Sequence, residues 1–176
     1  MANTKWTLDP THSELSFKVK HLMISNVKGN FTKFDASING EDFAKSTVNV
    51  SIDVASISTN NTDRDNHLKN ADFFDAENHS HIIFSGNSFS KVDDENYKLI
   101  GKLSIKGVSK DITLNVEYGG TKKDPWGNEK MGFTIEGTLN RTDFGLTWNA
   151  ALEAGGVLVG EKVKINAEVE FVKQIS

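Results

Sequence analysis

The residues best placed to do chemistry lie between Thr62 and Phe74, in the stretch TDRDNHLKNADFF. Arg64, Asp65 and His67 form the most suggestive polar set there. On a helix, Arg64 and His67 are three residues apart and share one face. Together they can meet a phosphate or a carbonyl group. The structural alternative is that Arg64 pairs with a nearby carboxylate and Asp65 helps to start the helix. Arg141 and Asp143, in NRTDFGL, carry the same two readings, and here the structural one is preferred.

Histidines come next. His12 and His21 bracket the stretch HSELSFKVKH. Their odd separation puts them on opposite faces of a regular strand. His21 shares the face of Phe17 and Val19, where it could donate a hydrogen bond to a ligand or be satisfied by backbone. His79 and His81 lie two apart and would share a strand face. Zinc takes three or four protein ligands, and the sequence places no third beside them, so no metal is expected. Trp126, in the turn DPWGN, could touch a membrane or a partner, or cover one end of the fold. No G-x-S-x-G elbow, H-E-x-x-H pair or Walker loop occurs in the chain. The absence of cysteine removes thiolate ligands, cysteine nucleophiles and disulfides. The expectation is a protein that is not an enzyme and has no cofactor.

These residues must be positioned by strands. Val48, Val50, Ile52 and Val54 alternate with Asn49, Ser51 and Asp53, and Ile112, Leu114, Val116 and Tyr118 share one face. Met131, Phe133, Ile135, Gly137 and Leu139 do the same, as do Val163, Ile165, Ala167, Val169 and Phe171. Period-two alternation of this kind marks antiparallel strands with one buried and one solvated face. Adding HSELSFKVKH, the regions 27–38 and 81–92, and the run 99–105 predicts about eight strands. Asn39-Gly40, Gly119-Gly120 and Asp124-Pro125 supply turn chemistry between them, and KGVSKD (106–111) reads as a hairpin loop. One short helix is expected from Thr62, which can cap it, with Asp63 and Asp65 at its positive end. The segment 149–160 reads as a helical turn or a loop.

The 176 residues form one domain by this reading, residues 1–176, with no linker or repeat. A net charge of -4 without clustering of Lys and Arg argues against nucleic acid. No run approaches the roughly 20 apolar residues that span a bilayer, so no stable membrane insertion is expected. The strand faces are clean enough for a closed barrel, with one face to the lumen and one to water. At about eight strands such a lumen either fills with side chains or holds one ligand. Its candidate residues are Phe17, Val19, Val50, Ile52, Phe84, Leu103, Leu114, Phe133 and Ile135. Gly101 and Gly137 fall on the same parity and either leave room or mark a bend.

Several stretches, in order, resemble one family over nearly the whole chain. They are WTLDPTHSELSFKVKH (6–21), GNFTKF (29–34), SISTNNTDRDNHLKNADFFD (56–75), HIIFSG (81–86), GKLSIKGVSKDITL (101–114) and NRTDFGL (140–146). The sequence is similar to the YceI-like, polyisoprenoid-binding proteins. That resemblance implies an all-β, antiparallel, lipocalin-like barrel with a short helix near one end. It also implies an apolar pore holding a polyprenyl lipid such as a quinone tail or a polyprenyl phosphate. Leu68 and Phe73 near the helix then join the wall, and His21 and Arg64 become candidates for the head group.

The resulting expectation is a protein that carries or stores a long isoprenoid lipid. A metal-dependent hydrolase using the histidines and Asp65, or a stress-response protein with a filled barrel, are the alternatives. A barrel with two open ends could form a homodimer. The N-terminus lacks the basic and apolar segments of a secretory signal. That fits the cytoplasm, or the periplasm if a signal has been removed, as is usual in the family.

Overall fold

The computed structural model describes residues 4–22, 24–149 and 159–175, without the side chain of Ile175. Among these residues, eleven antiparallel strands make one sheet. In chain order they are β1 (Thr4–Leu8), β2 (Glu14–His21), β3 (Ser25–Phe31), β4 (Phe34–Asn39), β5 (Thr47–Asp53) and β6 (Ile57–Ser58). A short helix, α1 (Thr62–Lys69), precedes β7 (His81–Lys91), β8 (Asn96–Ile105), β9 (Val108–Lys123), β10 (Glu129–Asn140) and β11 (Val159–Ile175). Neighbouring strands run β1-β4-β5-β7-β8-β9-β10-β11, and β11 pairs back with β1, closing an 8-stranded, lipocalin-like barrel.

The strand β11 is 17 residues long and serves two partners on one side. Leu8 of β1 faces its Phe171, and Leu15 of β2 faces its Ala167. Thus β1 and β2 lie end to end along β11, separated by Asp9 and the 3-10 turn Pro10–His12. Proline has no N–H to give to a ladder, and the Asp9 carboxylate caps the turn by accepting from Thr11 N at 3.1 Å. Beyond this break the wall continues through β2, β3 and β6 in place of β1, β4 and β5.

Alternation along each strand decides what lies inside. Trp6, Ile38, Val48, Ile52, Phe84, Leu99, Leu103, Val116, Phe133, Val169 and Phe171 are buried in one hydrophobic core, while Asn49, Lys102, Glu136 and Lys164 between them stay exposed. Burying side chains of this size is worth about 1.5–3 kcal/mol each, which is the main force holding the sheet closed.

The structure refines several local expectations. The region 27–38 is two strands, divided at Thr32 and Lys33, because β3 and β4 have different partners. The hairpin between β8 and β9 is tighter than a six-residue loop. It turns at Lys106 and Gly107 alone, with φ of 52° and 77°, the left-handed pair that suits a two-residue hairpin. Lys106 Nζ donates to Ala71 O at 3.0 Å, which ties that turn to the segment after α1. The cap of α1 is Asn61, whose side chain accepts from Arg64 N, and Thr62 is the first helical residue. Of 149–160, residues 150–158 lie outside the described residues.

Candidate functional site

The inward faces leave an apolar cavity of about 370 Å³ along the barrel axis. That lies within the roughly 300–1,000 Å³ typical of small-molecule sites. Its wall includes Val50, Ile52, Phe84, Leu103, Leu114, Phe133 and Ile135. Phe17, Val19, His21, Arg64, Leu68 and Phe73 also face it. Every wall position expected from the sequence therefore borders this one space.

Gly101 and Gly137 make room for protein, not for an occupant. A β-carbon on Gly101 would sit 2.6 Å from Phe84 Cζ, and one on Gly137 would sit 2.5 Å from Leu114 Cδ2. Neighbouring side chains already fill both gaps.

One end has a floor. The 3-10 turn Phe43–Lys45 follows β4, capped by the Asp42 side chain on Ala44 N. It drives Phe43 into the barrel, where its ring meets Phe89, Tyr97, Tyr118 and Phe133 at centroid distances of 5.6, 5.1, 4.8 and 5.0 Å. These partners come from β7, β8, β9 and β10; Phe89 and Phe133 border the cavity and Phe43 packs against both, so an aromatic cluster spanning four strands closes this end. The expectation of two open ends is corrected here: among the described residues, one end is plugged. Trp126 stands 82% exposed at the β9–β10 turn and covers nothing.

Polar groups gather at the other end, around α1. Arg64 Nε donates to Thr59 Oγ1 at 2.8 Å and Nη2 donates to Thr59 O at 2.7 Å. Asp65 Oδ1 in turn accepts from Thr59 N at 2.8 Å and from Thr59 Oγ1 at 2.5 Å. The expected carboxylate partner of Arg64 is thus replaced by a buried threonine, and Arg64 makes no ion pair among the described residues. His67, one turn on, bonds Asp72 Oδ2 through Nε2 at 3.0 Å. Its ring stands edge-on to Phe73 at 5.0 Å and to Trp148 at 4.7 Å. His67, Phe73 and Trp148 form an aromatic collar, with Arg64 bordering the same cavity and His21, at the end of β2, also facing it.

Arg141 builds part of this rim from behind. It is only 5% exposed, yet its contacts are all with carbonyls. Nε donates to Gly160 O at 2.8 Å, Nη1 to Leu146 O at 2.6 Å and Trp148 O at 2.9 Å, and Nη2 to Val159 O at 3.2 Å. Burial lowers its pKa from the usual value, opposed by the nearby charge of Glu161. The guanidinium stitches the 146–148 segment to the start of β11, which holds Trp148 at the collar. Asp143 sits in the first turn of the 3-10 segment Arg141–Phe144, away from Arg141's hydrogen bonds. The structural reading of this motif is the one the geometry supports.

Among the described residues, His79 and His81 gather no third ligand. His79 packs near Gly107, and His81 bonds Ser80 Oγ at 2.9 Å. Among the described residues the one set with ligand-like spacing is Asp9, His12 and Glu170, within 4.8 Å of one another. Lys130 Nζ already sits 2.9 Å from Asp9 Oδ2 and 3.3 Å from Glu170 Oε1, supplying the cation those carboxylates need.

Sequence reasoning missed Phe43, Thr59 and Trp148. None lies in an alternating run. The signal that could have marked Phe43 is Asp42 just before it, a residue type that caps helical turns.

A family model for the YceI-like domain matches residues 6–171. UPF0312 protein SAS2572 of Staphylococcus aureus strain MSSA476 is 42% identical over 171 residues, covering 96% of this chain and 97% of that protein. The crystal structure of Burkholderia cenocepacia BcnA superposes with a TM-score of 0.80 at 21% identity, over 93% of this chain and 98% of that one. A polyisoprenoid binding domain from Saccharophagus degradans, implicated in plant cell wall breakdown, superposes with a TM-score of 0.70 at 15% identity. It spans 95% of this chain and 97% of its own.

Proposed function

The chain belongs to the YceI-like family, and from that premise we propose that it binds a long-chain isoprenoid lipid and carries or stores it. The tail lies in the apolar tube and the head stays at the collar. The observation that carries this reading is the asymmetry of the cavity: an aliphatic and aromatic wall, Phe89 and Phe133 backed by Phe43 at one end, and Arg64, His67 and Thr59 gathered at the other. The likeness to a polyisoprenoid binding domain supports it.

A greasy tail suits such a tube on energetic grounds. Each buried methylene contributes about 0.8 kcal/mol. Ordering the tail and losing its free motion offset much of the sum, but the sign stays favourable without any polar contact along the wall. Chain length is then read by the distance from collar to floor. The head group is a quinone carbonyl or a phosphate, met by Arg64 and His67. The described residues at the mouth hold and orient; binding is the chemistry they do.

The test is native mass spectrometry of gently purified protein, followed by solvent extraction. A prenyl lipid at about one per chain is expected. If none co-purifies and added prenyl quinone fails to bind, the reading is wrong.

A further inference from the structure

The outer face of the mouth-end wall carries a feature that isoprenoid binding does not use. Across β11, β2 and β3, Lys164 faces Lys18, and Lys18 faces Lys28. Lys20 and Lys162 lie beside this row on the same two central strands. Like charges placed directly opposite on a sheet repel. No acidic side chain forms an ion pair with any of these lysines among the described residues; the ion pairs there involve other cations. The chain as a whole carries a net charge of -4, so this face runs against the sign of the rest. It ends where Glu14 faces Glu168, further along the same strands.

The β2–β3 hairpin adds a second, independent feature. Its turn presents Leu22 and Ile24, which are 38% and 81% exposed. It directly follows His21, on the cavity wall. Apolar tips flanked by lysines suit the boundary between lipid head groups and acyl chains, where anionic lipids attract the cations. A nucleic acid or an acidic protein would use the lysines and leave the apolar tip wet.

We propose that this face docks the protein on an anionic lipid bilayer. The lysine row lies against the head groups, the hairpin tip dips among them, and the tube mouth opens beside the membrane. The purpose of docking, exchange of the tail, rests on the carrier reading; docking itself does not.

Co-sedimentation of the full chain with phosphatidylcholine vesicles, with and without phosphatidylglycerol, tests it. Binding is expected only with phosphatidylglycerol and is lost in high salt. Replacing Lys18, Lys28 and Lys164 together by Gln removes three charges, two of them exposed and that of Lys18 half-buried, and weakens binding on the order of a hundredfold, with an unchanged melting curve. Ile24→Asp also weakens it. Equal binding to both vesicle types, no binding to either, an unaffected triple variant, or binding to duplex DNA but not to anionic vesicles overturns the proposal. Solvent extraction of the same samples separates the two readings. Protein that holds prenyl lipid yet ignores anionic vesicles refutes docking alone, and protein that docks yet holds none refutes only the carrier role.

Discussion

The ring of Phe17 lies directly over Gly29. The two residues face each other across β2 and β3, and a β-carbon on Gly29 would come 2.5 Å from Phe17 Cζ and 2.9 Å from Thr59 Cγ2. Gly29 is therefore the socket that lets a wall aromatic lie flat beside the threonine that holds Arg64. Gly29→Ala must displace ring or threonine, at a cost of about 1–3 kcal/mol. Chemical denaturation checks this; an unchanged midpoint would mean the ring has free space to move.

Phe43 backs Phe89 and Phe133, which close the cavity at one end, so its removal deepens the tube. Phe43→Ala is expected to destabilise the protein by about 3–5 kcal/mol through the cavity it leaves. In surviving protein the extracted lipids shift to longer tails. Mass spectrometry of the extracts decides this, since an unchanged length distribution puts the stop elsewhere.

Ile135 is half-buried and borders open space. Enlarging it to Trp fills volume that no side chain occupies, so stability changes by less than about 1.5 kcal/mol while prenyl lipid capture is abolished. A well-folded Ile135→Trp protein that still captures its lipid would place the tail outside this tube.

Arg141 supplies donors to four backbone carbonyls. Arg141→Met keeps much of the bulk but removes those donors; Val159 O still accepts from Asn149 Nδ2, and each of the other acceptors left unmet where water cannot reach costs about 1–3 kcal/mol. A loss of at least 3 kcal/mol is expected. Hydrogen exchange should also rise around Leu146 and Trp148, and protection left intact there would show that something else holds the rim.

Asp9 sets the response to acid. A hydrogen bond from Lys130, then those of Thr11 and His12, holds its carboxyl well below the usual carboxylate range. A carboxyl depressed by folding stabilises the fold above its unfolded pKa, and that contribution fades as pH falls toward the folded value. Asp9→Asn keeps an acceptor for Thr11 but removes the charge. The variant should melt lower than the parent at neutral pH, with the difference closing on acidification below about 4. Melting curves that stay parallel down to strong acid would assign the effect to something other than this charge.

The wall of the site was legible because it obeys a period. Val50, Phe84, Leu114 and Ile135 each sit in an alternating run, and alternation alone says which side faces in. What was not legible depends on contacts distant in sequence. Strand β1 is five residues long and ends just before Pro10, so no run betrays it. The split of 27–38 reflects a change of partner, from β2 and β6 to β1 and β5. Phe43 and Trp148 lie in irregular backbone, where burial follows from neighbours that only the fold assembles. Gly101 and Gly137 were open to two readings because the ring and the leucine that fill them come from adjacent strands.

The double use of β11 governs how the molecule can be made. Thr4 pairs with Ile175, and His21 pairs with Val159. The first two strands thus wait for the last one, and the ladder between them spans nearly the entire chain. During synthesis the early strands emerge with an unzipped margin, and the circle completes only when the final segment slots between β10 on one side and the β1–β2 pair on the other. Such non-local closure slows folding, and it makes the newborn intermediate, with its bare edge, the form most exposed to aggregation.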